Sequence, residues 1–326
     1  MAQMTTLAAA NMRVSPDKQA NLARILQFIE EAADRGADLL VLPELALQGY
    51  IDFALRHGTP EYVAQRQYFV TSAEPVPGPA TDQIAAAARR HRMYVQVGLA
   101  ESAGHGNVVF NTAALIGPDG VVGVYRKLHN QAEYPFFVPG EGTPVFGLPG
   151  ARASAMICYD LNFPEVMRAF AVQGAEITLM STAWPMQGHD PASDYLGETM
   201  DLLARANALV NQMWLVISNH CEAGAYSSKV DYYGRSQIIS PTGHVVAHLD
   251  QEEGLVCHTA DLRAEVMSAR TEAFFGLSLL ADRRPAQYEV LTRSYADPPP
   301  APSVPTPPAA TPSPATPSPA TPSPAT

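Results

Sequence analysis

The sequence predicts an α/β fold in which two mixed sheets are covered by helices. Short apolar runs alternate with amphipathic stretches of helical period up to about position 295. Two turn signals, Gly117-Pro118-Asp119-Gly120 and Pro241-Thr242-Gly243, lie between extended runs and mark hairpins. One run, Ala37-Asp38-Leu39-Leu40-Val41-Leu42-Pro43, is almost wholly apolar, the pattern of a strand buried on both faces.

Taken in order, Thr6 to Ala10 reads as a strand and Asp17 to Arg35 as a helix with Leu22, Ile25, Leu26 and Ile29 on one face, ended by Gly36. The apolar run from Ala37 to Pro43 follows. Thr81 to His91 is a second helix and Tyr94 to Leu99 a strand. Val108 to Ile116 and Val121 to Lys127 are the arms of the first hairpin. The second half echoes the first. A strand ends at Cys158, a helix spans Pro164 to Gln173, and Glu176 to Ser181 is a strand. Asp194 to Asn211 is a long helix and Trp214 to Ser218 a strand, before the second hairpin, Arg235 to Leu249. From Asp297 onward only Pro, Ala, Ser, Thr and Val follow, with Ala-Thr-Pro-Ser-Pro repeated. Proline fixes φ and removes donors, so residues 296–326 are expected to be a disordered tail behind one domain, 1–295.

Composition narrows the function classes. Hydrophobic residues at 47% and charged residues at 16% allow a sizeable core. A net charge of −11 argues against nucleic acid, because binding phosphate needs concentrated Lys and Arg. No stretch is apolar enough to span a bilayer. The start, Met1-Ala2-Gln3-Met4-Thr5-Thr6, lacks the cationic and apolar regions of a signal peptide. Three cysteines, Cys158, Cys221 and Cys257, are an odd and sparse set that reads as reduced thiols. The expectation is a cytoplasmic protein.

Cys158 is the first candidate for chemistry. It ends the small, apolar run from Ala153 and precedes a polar, Pro-marked helix opening, Tyr159 to Glu165. A thiol on a strand-to-helix turn lies beside backbone N–H groups that favour thiolate, which is how an enzyme presents a nucleophile. The plainer alternative is a small buried hydrophobe. Glu44, at the end of an apolar strand, is partly desolvated, and its raised pKa suits a general base; a carboxylate meeting a helix dipole is the alternative. Lys127 also ends a strand and can stabilise an oxyanion, or snorkel at the surface. Glu133, before Tyr134-Pro135-Phe136-Phe137, can orient Lys127 or a substrate nitrogen, or be a loop charge. A base, a cation and a thiol at strand ends are the set that amide cleavage through a thioester requires.

These segments resemble the nitrilase superfamily of carbon–nitrogen hydrolases. The resemblance is carried by Leu42-Pro43-Glu44-Leu45, Tyr125-Arg126-Lys127-Leu128-His129 with Glu133 and Phe137-Val138-Pro139-Gly140, and Cys158-Tyr159-Asp160-Leu161-Asn162-Phe163-Pro164-Glu165. Asn111-Thr112-Ala113, Arg205-Ala206, Tyr233-Gly234-Arg235-Ser236 and Pro241-Thr242-Gly243 add to it, over roughly positions 5 to 285. It implies a four-layer α-β-β-α sandwich and a Glu44–Lys127–Cys158 triad. Cys158 would be the nucleophile, Glu44 its base, and Lys127 the oxyanion cation together with the backbone N–H of Tyr159. Glu133 matches a second glutamate that places substrate. No metal or organic cofactor is implied, and a homodimer or larger homo-oligomer is.

Cys158-Tyr159-Asp160 resembles the amidase branches, whereas nitrilases proper usually read Cys-Trp-Glu. Asn162 stands where amidase branches often carry Arg, which weakens the inference of a carboxylate-bearing substrate; Arg152, Arg168 and Arg235 remain candidates for one. Tyr50, Phe136, Phe137, Tyr159, Trp184 and His220 are candidate pocket aromatics, or core. Cys221 reads as pocket wall or structure and Cys257 as core. The expected activity is hydrolysis of a small carboxamide to acid and ammonia or amine. A nitrilase, an N-carbamoyl amidohydrolase and an inactive binding or assembly subunit are the alternatives.

Overall fold

The computed structural model describes residues 3–52, 55–130, 133–188, 190–223 and 231–294. The chain divides into Met1–Arg283 and Arg284–Thr326. The second unit shows two short 3-10 turns, Pro285–Gln287 and Glu289–Thr292. The Pro-rich tail, 296–326, lies outside the described residues.

The first unit is built on two sets of strands. In the first, β1 (Thr5–Met12) runs parallel to β2 (Leu39–Val41), and β2 parallel to β3 (Tyr94–Ser102). The antiparallel β4 (Val109–Gly117) and β5 (Gly120–Arg126) complete it through the expected Gly-Pro-Asp-Gly turn. In the second, β6 (Val145–Leu148) is antiparallel to β7 (Ala151–Ile157), which runs parallel to β8 (Ile177–Thr182) and β9 (Trp214–Ala223). β10 (Asp231–Tyr233) and the hairpin of β11 (Gln237–Ile239) and β12 (Val245–His248) extend β9. β13 (Gly254–Ala260) lies antiparallel on β1.

The two sets meet through β1 and β9, which pair only at Asn11–Asn219 and Met12–His220. Beyond those two pairs the strands diverge, and the sets face one another. Leu7, Leu39, Val41 and Leu115 from one set pack with Ala153, Ile177, Leu179, Trp214 and Val216 from the other. Helices α1 (Lys18–Asp34) and α3 (Pro79–His91) bury Ile25, Phe28, Ile84 and Ala88 on the outer face of the first set. Helices α4 (Pro164–Val172) and α5 (Tyr195–Asn211) bury Met167, Phe170, Met200 and Ala204 on the second. This is the expected α-β-β-α sandwich, with its two sheets joined by a short ladder into one nearly closed sheet.

Local chemistry explains most boundaries. Asp17 caps α1 by accepting from the N–H groups of Gln19 and Ala20, and Asp194 caps α5 at Gly197. β2 is shorter than the apolar run that announces it. Pro43 has no N–H for the ladder, and Leu45 turns the chain at φ +47°. α2 (Pro60–Ser72), β6, β13 and α6 (Leu262–Thr271) were not foreseen. Only Tyr62 and Phe69 of α2 are buried, too few to set a helical period. No helix of the described residues is long and apolar enough to cross a membrane.

Candidate active site

β2, β5, β7, β8 and β9 all point the same way, since each is linked to the next by parallel pairs or by an even number of antiparallel ones. Their C-terminal ends therefore share one edge of the sandwich. Glu44 follows β2, Lys127 follows β5 and Cys158 follows β7. The residues after β8 and the far end of β9 reach the same place.

Each side chain is held by its neighbours. The Glu44 carboxylate is fully buried. Its Oε1 accepts from Lys127 Nζ at 2.7 Å and Asn111 Nδ2 at 2.7 Å, and its Oε2 from the Ala183 N–H at 3.0 Å. His220 Nε2–H donates to the Glu44 carbonyl at 2.6 Å, fixing the main chain. Gly98 on β3 lets the backbone pass closely here, since a Cβ on it would lie 2.3 Å from the Pro43 oxygen. Lys127 is clamped by its own main chain, its N–H donating to Asn111 O and its carbonyl accepting from Gly140 N–H, both at 2.8 Å.

Glu133 completes the cluster. Its Oε1 accepts from Lys127 Nζ and from the Tyr50 hydroxyl at 2.9 Å, and its Oε2 from Asn111 Nδ2 at 3.0 Å. Asn111 thus gives one proton to each carboxylate. Cys158 opens a 3-10 turn, Cys158–Asn162, at φ +45°. That left-handed conformation is sparsely used by residues other than glycine and persists where the surroundings enforce it.

Two carboxylates and one ammonium leave this closed site with an excess of negative charge. Burial raises the Glu44 pKa to about 7; the Lys127 ammonium opposes the rise and the Glu133 charge adds to it. Burial works to lower the Lys127 pKa, but the Glu133 and Glu44 carboxylates, foremost among the groups that raise it, outweigh burial and keep the ammonium protonated. Burial pushes the Cys158 thiol up, and the Glu44 charge adds to that; the Lys127 ammonium and the Ala183 N–H pull down less. This overturns the expectation that N–H groups at the turn hold the sulfur as thiolate. The resting sulfur keeps its proton.

The model of the carbon-nitrogen hydrolase family matches residues 2–270. This chain belongs to that family. It is 30% identical over 269 residues to the omega-amidase NIT2 of Xenopus tropicalis, covering 78% of this chain and 88% of that one. It is 31% identical over 303 residues to the N-carbamoylputrescine amidase of Solanum lycopersicum, covering 89% and 95%. Among solved structures, a double mutant of the amidase from Nesterenkonia sp. AN1 in complex with acrylamide aligns with TM-score 0.68 and 25% identity, over 88% of this chain and 97% of that one. A single mutant of the same amidase shows the result of Michael addition of acrylamide at its active-site cysteine; it aligns with TM-score 0.68 and 26% identity over 88% and 99%. The chain is a hydrolase of carbon–nitrogen bonds of the amidase type.

As a carbon-nitrogen hydrolase it brings together Glu44, Lys127 and Glu133 in direct contact, with Cys158 close enough to feel the first two charges. Tyr50, His220 and Tyr232 form one aromatic group, with His220 and Tyr232 centroids 4.8 Å apart. His220 is held neutral, its pKa lowered to about 4 by burial. Phe137 packs with Tyr50, Ala183 and Tyr232 behind the glutamates, and Phe136 lies against Tyr62 and Phe69. Trp184 is in the core that includes Cys158, and its indole N–H donates to the Leu196 carbonyl at 2.7 Å. The Tyr159 ring is exposed and set edge-on to Phe163.

The three candidate arginines have other surroundings or partners. Arg152 is on β7 at the end opposite Cys158, Arg168 donates to the Val210 carbonyl, and Arg235 pairs with Asp201. Cys221 is buried on β9 and Cys257 partly buried on β13. Asn111 and the Ala183 N–H are the site members that sequence reasoning missed as functional groups. Asn111 lay in a quoted motif, but nothing in one strand shows an amide facing two distant carboxylates.

Proposed function

We propose that this chain hydrolyses a small, uncharged carboxamide to a carboxylic acid and ammonia through a Cys158 thioester. The observation that carries the reading is the buried Lys127 Nζ and Asn111 Nδ2 shared between Glu44 and Glu133, with Glu44 near pKa 7 beside a protonated thiol. Glu44 takes the thiol proton as Sγ attacks the amide carbonyl carbon. The negative oxygen that forms is stabilised by Lys127 and the Tyr159 N–H. The C–N bond breaks as Glu44 returns that proton to the leaving nitrogen. Water then attacks the thioester and gives a proton to Glu44. The C–S bond breaks, the acid leaves, and the thiol regains its proton from Glu44.

Arg152 lies at the end of β7 opposite Cys158, Arg168 donates to the Val210 carbonyl and Arg235 pairs with Asp201, which favours an uncharged acyl group over one ending in a carboxylate. The acrylamide complex of the Nesterenkonia amidase supports a site of small-amide size. N-carbamoyl amine hydrolysis is the second reading, favoured by the 89% coverage of this chain by the tomato N-carbamoylputrescine amidase.

Ammonia release across a panel of simple amides, nitriles and N-carbamoyl amines tests these readings, with carbon dioxide release marking the carbamoyl compounds. Butyramide should exceed succinamate in kcat/KM, and Cys158→Ala should abolish turnover. Turnover of nitriles or carbamoyl compounds alone would displace the amide reading.

A further inference from the structure

We infer that Asp160 is a positioning residue that sets Cys158 against Lys127; this rests on the amidase reading above. Asp160 is fully buried, two residues beyond the nucleophile, and its carboxylate accepts from four donors. Oδ2 takes the Tyr125 hydroxyl at 2.8 Å and the Ile157 N–H at 3.3 Å. Oδ1 takes the His129 N–H at 3.1 Å and His129 Nδ1–H at 2.6 Å. The His129 ring is in turn stacked on Phe163, with centroids 3.6 Å apart and planes within 6°.

The sequence positions of those donors are the point. Tyr125 and His129 stand two residues before and two residues after Lys127, and Ile157 immediately precedes Cys158. One carboxylate therefore ties both flanks of the oxyanion cation to the strand end that presents the sulfur. The left-handed Cys158 backbone needs such a constraint, since nothing in the residue itself favours φ +45°. Four donors on one buried carboxylate satisfy both of its oxygens. Asp160 touches neither reacting group. Its effect is the distance between the sulfur's acyl carbonyl and the Lys127 ammonium, the geometry on which oxyanion stabilisation depends.

The test is kinetic, on Asp160→Asn and Tyr125→Phe beside the wild type. In Asp160→Asn an NH2 replaces an acceptor that faced donors on both sides. The expected result is a fall in kcat of about 10²-fold, the scale of a misplacement near 1 Å, with KM near the wild-type value. Alkylation of Cys158 by iodoacetamide, which forms no oxyanion, should slow far less. Tyr125→Phe removes one of the four donors and should lower kcat about fivefold, with a fall of a few degrees in the thermal midpoint that leaves the enzyme folded at the assay temperature. If Asp160→Asn does not fold, Tyr125→Phe decides alone. Wild-type kcat in the folded variants, or equal losses in kcat and alkylation, overturns the inference. A wild type that releases no ammonia from any amide overturns the amidase reading, and this inference with it.

Discussion

Glu44 does two things that pull against each other. In the proposed mechanism it must be charged to take the Cys158 proton, yet burial beside Glu133 makes the charge unfavourable. With its pKa raised to about 7, it is ionised only as pH rises through neutrality. The acid limb of kcat/KM is therefore expected near pH 7, falling about tenfold per unit below it. Glu133→Gln removes a like charge, so the limb should move to lower pH, read in a pH–rate profile; a shift upward would contradict this electrostatic account. Lys127→Ala should lower kcat at least about 10²-fold, because the proposed oxyanion partner is lost. Glu44, Lys127 and Cys158 were legible in the sequence because each follows a β-like run and stands in a recognisable string. Asn111 and Asp160 were not legible as working groups. Their effect lies in donors and acceptors drawn from other strands, which no single segment displays.

Elements decide how those groups meet. β2, β5 and β7 deliver their last residues to one edge because they share a direction, and the chain bends sharply there, at Leu45 and at Cys158. Gly98 permits the close crossing behind Glu44. Gly98→Ala should destabilise the fold by about 1–3 kcal/mol in a denaturant titration, since a Cβ would meet the Pro43 carbonyl and the Leu45 N–H. It should also lower kcat by displacing Glu44; full activity with unchanged stability would refute that crossing. Most strands and the long helices could be read from period and caps: α1 and α5 start at Asp17 and Asp194 as expected. α2 escaped because only Tyr62 and Phe69 are buried, and β13 because its burial pattern does not alternate cleanly.

At the scale of the molecule, a single two-pair ladder between β1 and β9 lets one sheet fold onto itself, so that Glu44 and Cys158, 114 positions apart, face the same space. The layer order was implied by family resemblance; the continuous ladder was not, because pairing between distant strands leaves no local pattern. The fold supplies a buried cluster of one carboxylate near pKa 7, one ammonium and a protonated thiol, the set that the proposed hydrolysis of a neutral amide uses. The most direct test is intact-mass spectrometry of enzyme quenched during turnover of a simple amide such as butyramide. The account predicts a butyryl adduct mapped to Cys158, absent in Cys158→Ala, whose ammonia release is also lost. Ammonia release that persists in Cys158→Ala, with no adduct on the wild type, would contradict it.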